Sequence, residues 1–197
     1  MKRKSSVSFT KYPQESDFGG GKVLNIGCGF AKYTSKNVVN LDAHDNCKPD
    51  IKWDLAVTPL PFNDEEFDFI MANHILEHVP NWWLCFNECS RILKKGGRLE
   101  VWIPGAGSDA VHGFRDHINE INNCSFFGTY GMNRGMSNAW AEKNNSGHAK
   151  KLALKSVMSH LDDHGWLMIL PKFLQKWCAT HLRNVIFETG FVFEKVA

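Results

Sequence analysis

The residues from Lys22 to Gly29 constrain the fold of this chain more than any other stretch. They read Lys-Val-Leu-Asn-Ile-Gly-Cys-Gly, a short apolar run that ends in two glycines separated by one residue. Such a run is typical of a buried strand, and glycines directly after it let bare backbone approach something that the protein holds. The segment therefore predicts a buried strand that ends in a ligand-binding turn.

A second apolar run follows this turn and ends in a carboxylate, at Val38-Val39-Asn40-Leu41-Asp42. Strand, glycine turn, helix, second strand and acid is the order by which open α/β sheets bind a nucleoside. The turn lies under the ligand, and the acid accepts hydrogen bonds from the ribose hydroxyls. Dinucleotide-binding turns have a third glycine where this chain has Lys32, so the pattern favours a nucleoside ligand over a pyrophosphate.

The pattern after Asp42 continues to alternate between strands and helices. This alternation predicts an α/β fold, a Rossmann-like, doubly wound and mostly parallel sheet with helices on both faces. We expect residues 1–21 to be a tail or cap and residues 22–197 to be one domain. Its parts are a cofactor-binding half (22–107), an insertion after strand five that forms a substrate lid (108–150), and C-terminal helices with a terminal strand (151–197). Within the last part, residues 151–160 and 174–186 are predicted helices.

Composition narrows the class of protein. The chain has 197 residues, 43% of them hydrophobic, with a net charge of +2, which argues against a dedicated nucleic-acid surface. Six scattered cysteines, without the spacing of a disulfide framework or a preceding signal peptide, predict free thiols in the cytoplasm. No run reaches the ~20 apolar residues of a membrane span.

Several further motifs follow in a fixed order. Asp54-Leu55 comes after a short third strand, a fourth strand leads into Asn73-His-Ile-Leu-Glu-His-Val79, and Leu93-Lys-Lys-Gly-Gly-Arg-Leu99 precedes the fifth strand. In these motifs the chain resembles the class I S-adenosylmethionine-dependent methyltransferases, in particular the type 11-like group with a Leu-Glu-His-Val-like turn after strand four. The resemblance covers about residues 22–104. It implies S-adenosyl-L-methionine as the cofactor.

The resemblance also implies roles for individual residues. Gly27 and Gly29 would lie under the methionyl part of the cofactor, Asp42 would bind the ribose hydroxyls, and Asp54 would face the adenine amino group. The full set of implied cofactor-binding residues is Asn25, Gly27, Cys28, Gly29, Asp42, Ala43, Asp54, Leu55, Asn73 and His74. Leu55 would pack on the adenine ring, while Asn73 and His74 would line the sulfonium end.

One residue departs from the family pattern. Asn25 stands where the family usually has an acid that helps to hold the ammonium group of the cofactor. A neutral amide weakens the inference of turnover, and a non-catalytic module that binds S-adenosylmethionine or S-adenosylhomocysteine stays open as an alternative.

The sequence His74-Ile-Leu-Glu77-His78 also matches a zinc-peptidase pattern, which makes a zinc hydrolase a remote alternative. That chemistry needs both histidines on one helical face. Here the pattern directly follows a strand and Pro80 comes soon after it, so a continuous helix is not expected and no metal is predicted.

The methyl acceptor is expected to be a small molecule or a saccharide-type hydroxyl or carboxyl. DNA is disfavoured, because the Asn/Asp-Pro-Pro-Tyr and Pro-Cys signatures of DNA methyltransferases are absent. His112 and His117 fall in the insertion and are the candidates for a catalytic base, since the insertion follows a strand whose carboxyl end faces the ligand.

Overall fold

The protein is described from a computed structural model, which covers residues 12–126, 151–161, 167 and 169–196. The strands are β1 (Val23–Ile26), β2 (Val38–Asp42), β3 (Ile51–Lys52), β4 (Phe67–Asn73), β5 (Leu93–Pro104), β6 (Leu152–Leu161) and β7 (Ile186–Lys195). The helices are α1 (Trp82–Ile92), α2 (Asp109–Gly113) and α3 (Lys172–His181), and short 3-10 turns lie at Glu15–Phe18, Asp45–Cys47, Leu76–His78 and Asn123–Phe126.

The seven strands form one sheet in the order β3-β2-β1-β4-β5-β7-β6. Pairing is parallel from β3 through β5, and β7 runs antiparallel to both of its neighbours. The predicted fold class, a Rossmann-like and mostly parallel sheet, is confirmed. Since the first four strands of this order are parallel and adjacent, the ends of β2, β1 and β4 share one edge, where loops can build a site.

One face of the sheet carries the main apolar core. Alternate residues of the central strands point into it, including Leu24 of β1, Ile70 of β4 and Phe193 of β7. Helix α1 closes this face with Phe86, whose ring lies 5.2 Å from that of Phe193. The apolar spacing of residues 82–93 is typical of a helix, and α1 spans Trp82–Ile92 of this range.

The opposite face is partly covered by the start of the described chain. Phe18 is buried against Phe69 of β4 and Tyr33, with ring centroids 5.6 and 5.1 Å away. The Glu15 carboxylate accepts hydrogen bonds from the backbone N–H groups of Thr34 and Ser35. These contacts join residues 12–18 to the connection between β1 and β2, which forms turns and not a helix.

The predicted helix over residues 151–160 is wrong, because Leu152–Leu161 is strand β6. Leu154 and Val157 have the i, i+3 spacing of a helix face, yet the register shift between Leu154 and Ser156 places both against the main core from within a strand. Pairing with β7 over the whole of β6 decides the outcome against local propensity.

The predicted helix over residues 174–186 is found at Lys172–His181, so it begins earlier and ends before β7. Of the predicted insertion, residues 108–126 are described and the remainder lies outside the described residues. None of the helices in the described ranges is both long enough and apolar enough to cross a membrane.

Candidate functional site

A cleft of about 450 Å³ opens at the shared edge of β1, β2 and β4. Volumes of this order are typical of small-molecule sites. Seven of the residues predicted to bind the cofactor line it, namely Gly27, Gly29, Asp42, Ala43, Asp54, Leu55 and His74. The topology therefore brings together, in one cavity, residues that are up to 47 positions apart in the chain.

The two glycines of the turn have different surroundings. Both have positive φ, +61° at Gly27 and +49° at Gly29. A Cβ at Gly27 would lie 2.2 Å from Cγ1 of Ile75, whereas a Cβ at Gly29 would meet nothing within 4 Å. Gly27 thus lets the turn after β1 pack against the turn after β4, and Gly29 leaves the space above the turn open for a ligand.

Asp42 organises the same turn from the end of β2. One carboxylate oxygen accepts a hydrogen bond from the Gly29 backbone N–H at 2.8 Å, and the other accepts from the His44 N–H at 2.9 Å. The residue is only 7% exposed and still lines the cleft. Each carboxylate oxygen can accept more than one hydrogen bond, so Asp42 has acceptor capacity left for a ligand.

Asp54 and Leu55 lie on the far side of the cleft, after β3. Leu55 is buried, while Asp54 is exposed and accepts a hydrogen bond from the Ala56 N–H at 2.9 Å. An apolar side chain next to an exposed acceptor can hold a flat ring by packing on its face and binding a polar group at its edge.

Three residues of the predicted set, Asn25, Cys28 and Asn73, do not line the cleft. Cys28 is buried, and burial raises the pKa of its thiol to about 11. The Oδ1 atom of Asn73 is buried without a hydrogen-bond partner among the described residues.

Asn25 lies beneath the glycine turn. Its Nδ2 donates to Asn40 Oδ1 at 3.2 Å and to the Ala31 carbonyl at 3.3 Å. The orientation of Asn40 is fixed, because its Oδ1 accepts from the Tyr33 N–H and its Nδ2 donates to the Tyr33 carbonyl and to Asp50. Position 25 therefore needs a donor, which an acidic side chain cannot supply.

We expect Asn25→Asp to destabilise the protein by about 1–3 kcal/mol, the cost of a buried polar group that loses its partner. The new carboxylate oxygen would face Asn40 Oδ1, and both atoms are acceptors. Chemical denaturation of the two proteins measures the difference. If Asn25→Asp is as stable as the wild type and binds S-adenosylhomocysteine more tightly, position 25 instead still has the role of the acid in the family, which is to help hold the ammonium group of the cofactor.

His74 begins the turn after β4 and lies among several charged groups. Its Nε2 is 2.7 Å from Glu188 Oε2 on β7, and its Nδ1 is 3.3 Å from Glu77 Oε1. Burial lowers the pKa of His74, but the interactions with Glu188 and Glu77 outweigh it and raise the pKa to about 9. His74 is therefore protonated at neutral pH and places a cation at the cleft wall.

Glu188 joins His74 to two other side chains. It accepts a hydrogen bond from the Tyr12 hydroxyl and contacts Nδ1 of His160 on β6. Burial tends to raise the pKa of Glu188, but the hydrogen bonds from His74, Tyr12 and His160 hold it below its usual value. The cluster fixes the edge of the site with groups from four separate parts of the chain.

The two histidines predicted as candidate bases lie outside the cleft lining. His112 is exposed at the end of α2. His117 is partly buried, and its ring centroid lies 4.7 Å from that of His78. Of the two, only His117 contacts a residue that lines the cleft.

Sequence reasoning missed several residues of the cleft. His44, Trp53, Ile75, Pro80 and Asp116 also line it, together with His78 and Val79 of the turn after β4. His44, Trp53 and Ile75 each adjoin a predicted residue, which was a usable signal. Asp116 reaches the cleft through tertiary packing alone.

The residues that match the zinc-peptidase pattern, His74 to His78, do not form the continuous helix that such a hydrolase needs. Leu76–His78 forms a 3-10 turn, and His74 precedes it with φ +47° at the end of a strand. The two histidines of the pattern therefore do not lie on one helical face.

Comparison with known proteins connects this geometry to a family. Residues 24–101 match the model of a methyltransferase domain. Among solved structures, an S-adenosylmethionine-dependent methyltransferase from Archaeoglobus fulgidus superposes with a TM-score of 0.62 at 11% identity, over 90% of this chain and 88% of that chain.

Curated relatives match over shorter ranges. An uncharacterized protein of Methanocaldococcus jannaschii, MJ0638, is 33% identical over 112 residues, which are 52% of this chain and 48% of that protein. A demethylmenaquinone methyltransferase of Staphylococcus carnosus is 29% identical over 98 residues, 40% of this chain and 41% of that protein. The matched part thus spans about half or less of the length of these relatives.

Proposed function

Since this chain belongs to the class I S-adenosylmethionine-dependent methyltransferases, we propose that it transfers a methyl group from S-adenosylmethionine to a small-molecule or saccharide-type acceptor. The observation that carries the proposal is the position of Asp42. Its carboxylate holds the glycine turn from the end of β2 and still faces the cleft.

The residues of the cleft fit the cofactor. The open space above Gly29 suits a ligand that lies on bare backbone, and Asp42 offers acceptors for the two ribose hydroxyls. We assign Leu55 to the adenine face and Asp54 to the adenine amino group, since the first is buried and the second exposed at the same wall. Ala43 follows Asp42 and keeps this wall free of bulk.

The wall after β4 would hold the other end of the cofactor. We assign His74 to this wall because it lines the cleft, where Glu188 and Glu77 hold both of its ring nitrogens and fix the orientation of the ring. Asn25 is committed to Asn40 and the turn, so in this chain it supports the cofactor site from beneath.

When bound, S-adenosylmethionine supplies an electrophilic methyl group on a sulfonium. The chain's own part is to hold the acceptor oxygen in line with it and to exclude water, which can account for most of the acceleration. His74 is protonated at neutral pH and does not serve as the base in that state. His112 and His117 remain the candidate bases, and His117 is the better placed because it contacts His78.

The residues near the acceptor side favour polar substrates. His78 and Asp116 line the cleft beyond His74, and both can form hydrogen bonds with hydroxyl or carboxyl groups.

The described cysteines whose side chains are placed are all free thiols, which fits the cytoplasmic location that we propose.

The test is transfer of an isotope-labelled methyl group from S-adenosylmethionine to pools of hydroxylated and carboxylated small molecules and saccharides. We expect labelled product with the wild type and none with Asp42→Ala. Asp45→Ala is the matched control, because Asp45 lies outside the cleft and pairs with Lys52 on the surface. It should retain transfer.

A second candidate function is a binding module without turnover. Asn25 favours it, because the acid usual in the family is replaced by an amide that has a structural task. Binding of S-adenosylhomocysteine with no transfer to any pool would support this alternative against the enzyme.

A further inference from the structure

Three potential metal ligands lie together next to the cleft. They are Glu77 and His78 from the 3-10 turn after β4, and His117 from the segment after α2. One ligand atom from each lies within 4.8 Å of the others. A tetrahedral zinc ion with bonds of ~2.0–2.2 Å holds its ligand atoms about 3.3–3.6 Å apart, so movements of about 1 Å close this set around one ion.

Two of these side chains contain buried polar atoms that have no hydrogen-bond partner among the described residues. Glu77 is 2% exposed, and neither carboxylate oxygen has a hydrogen bond within the part of the chain that the structure describes. Protonated His74 offsets the charge of Glu77, since its Nδ1 lies 3.3 Å from Oε1, but this contact lacks hydrogen-bond geometry. The buried Nδ1 of His117 likewise has no partner among the described residues. Buried groups of this kind are costly and need an explanation, such as a bound ion.

The environment of His78 is the one found around metal-bound histidines. Its Nδ1 lies 3.0 Å from the Asp116 carbonyl oxygen and 3.3 Å from the Asp116 carboxylate. This assigns the proton to Nδ1 and leaves Nε2 as the ligand atom, with a partner that orients the ring. The rings of His78 and His117 are inclined by 72° with centroids 4.7 Å apart, so they meet edge to face and are not stacked.

The backbone holds the two segments together before any ion binds. Ile118 N–H and Asn119 N–H both donate to the Glu77 carbonyl, at 3.0 and 3.1 Å. The Asn119 side chain donates to the Val79 carbonyl at 2.9 Å. The ligands therefore sit on a fixed frame, which reduces the entropy that metal binding must overcome.

We propose that Glu77, His78 and His117 bind one divalent transition-metal ion of the zinc class. Two imidazoles and one carboxylate are a ligand set that zinc accepts with a fourth position open. His78 and Asp116 also line the cleft, so the ion lies beside the space that we assign to the acceptor. When the ion is bound, His117 is a ligand and cannot serve as the base, which leaves His112 as the candidate base. The use of the ion in holding an acceptor oxygen rests on the proposed function, whereas binding of the ion does not.

The test is a titration of chelator-treated, dialysed protein with Zn²⁺ and with Co²⁺. We expect one ion per chain and, for Co²⁺, visible absorption bands of a low-coordinate site. His117→Ala should weaken binding at least about 100-fold, since it removes one of three protein ligands. His181→Ala is the matched control, because His181 is an exposed histidine on α3 whose Nδ1 contacts the Trp177 carbonyl, and it should bind like the wild type.

A second variant, Glu77→Gln, guards against a misleading loss through unfolding. Its circular dichroism in chelator should match the wild type, and its melt should not rise when zinc is added, whereas the wild-type melt rises. Less than a tenth of an equivalent of zinc bound to the wild type, or unchanged affinity in His117→Ala, overturns the proposal. S-adenosylhomocysteine binding measured in chelator reports on the proposed function separately.

Discussion

Replacing Asp42 with alanine is expected to weaken binding of S-adenosylhomocysteine by at least about 100-fold. The carboxylate accepts hydrogen bonds from the N–H groups of Gly29 and His44, and we assign its remaining acceptor capacity to the ribose hydroxyls. Hydrogen bonds to a charged group contribute about 1.5–3 kcal/mol each, so losing two corresponds to this change or more. Isothermal titration calorimetry measures the difference.

A double comparison separates the ribose contact from the disturbed turn. The wild type and Asp42→Ala are each titrated with S-adenosylhomocysteine and with its analogue lacking the ribose hydroxyls. If Asp42 binds those hydroxyls, removing them from the ligand should weaken binding to the wild type strongly and binding to Asp42→Ala only slightly. An equal loss in both proteins would refute the ribose assignment and leave Asp42 with a structural role in the turn. Asp45→Ala again serves as the control for a nearby surface acid.

Gly27→Ala is expected to destabilise the protein by about 2–5 kcal/mol. The left-handed conformation costs a non-glycine residue about 1–2 kcal/mol, and overpacking typically costs about 1–3 kcal/mol. Both apply here, since φ is +61° and the new Cβ would lie 2.2 Å from the Ile75 side chain. Denaturation by urea measures the change.

The neighbouring Gly29 provides the matched variant. Gly29→Ala carries the same conformational cost, but its Cβ would project into space that is open in the structure. We expect a smaller loss of stability than for Gly27→Ala, and a weaker affinity for S-adenosylhomocysteine because the methyl group occupies the ligand's space. The opposite order of stabilities would show that the packing of Gly27 on Ile75 is not as described.

The sequence predicted the cofactor half of the fold well because its signals are local. Short apolar runs mark β1, β2 and β4, with glycine directly after β1, and the apolar spacing of residues 82–93 marks α1. Strand β6 was mistaken for a helix because a bulge gave its apolar residues helical spacing, and only pairing with β7 reveals the strand. Local pattern reading cannot detect such pairing.

The site residues also differ in how far local signals predict them. The cleft-lining residues that were predicted from motifs lie at or just after the ends of strands, where the sheet topology itself places them. Contacts between distant parts of the chain had no sequence signal. Asn25 pairs with Asn40, and His74 meets Glu188 across 114 positions. Such partners decide what a side chain does, and they emerge only when the chain is folded.

The central claim is that the cleft at the end of β1, β2 and β4 binds S-adenosylmethionine. Isothermal titration of the wild-type protein with S-adenosylhomocysteine, in the presence of chelator and at high micromolar protein, tests it most directly. We predict saturable binding at one site per chain. An absence of binding under these conditions would contradict the account.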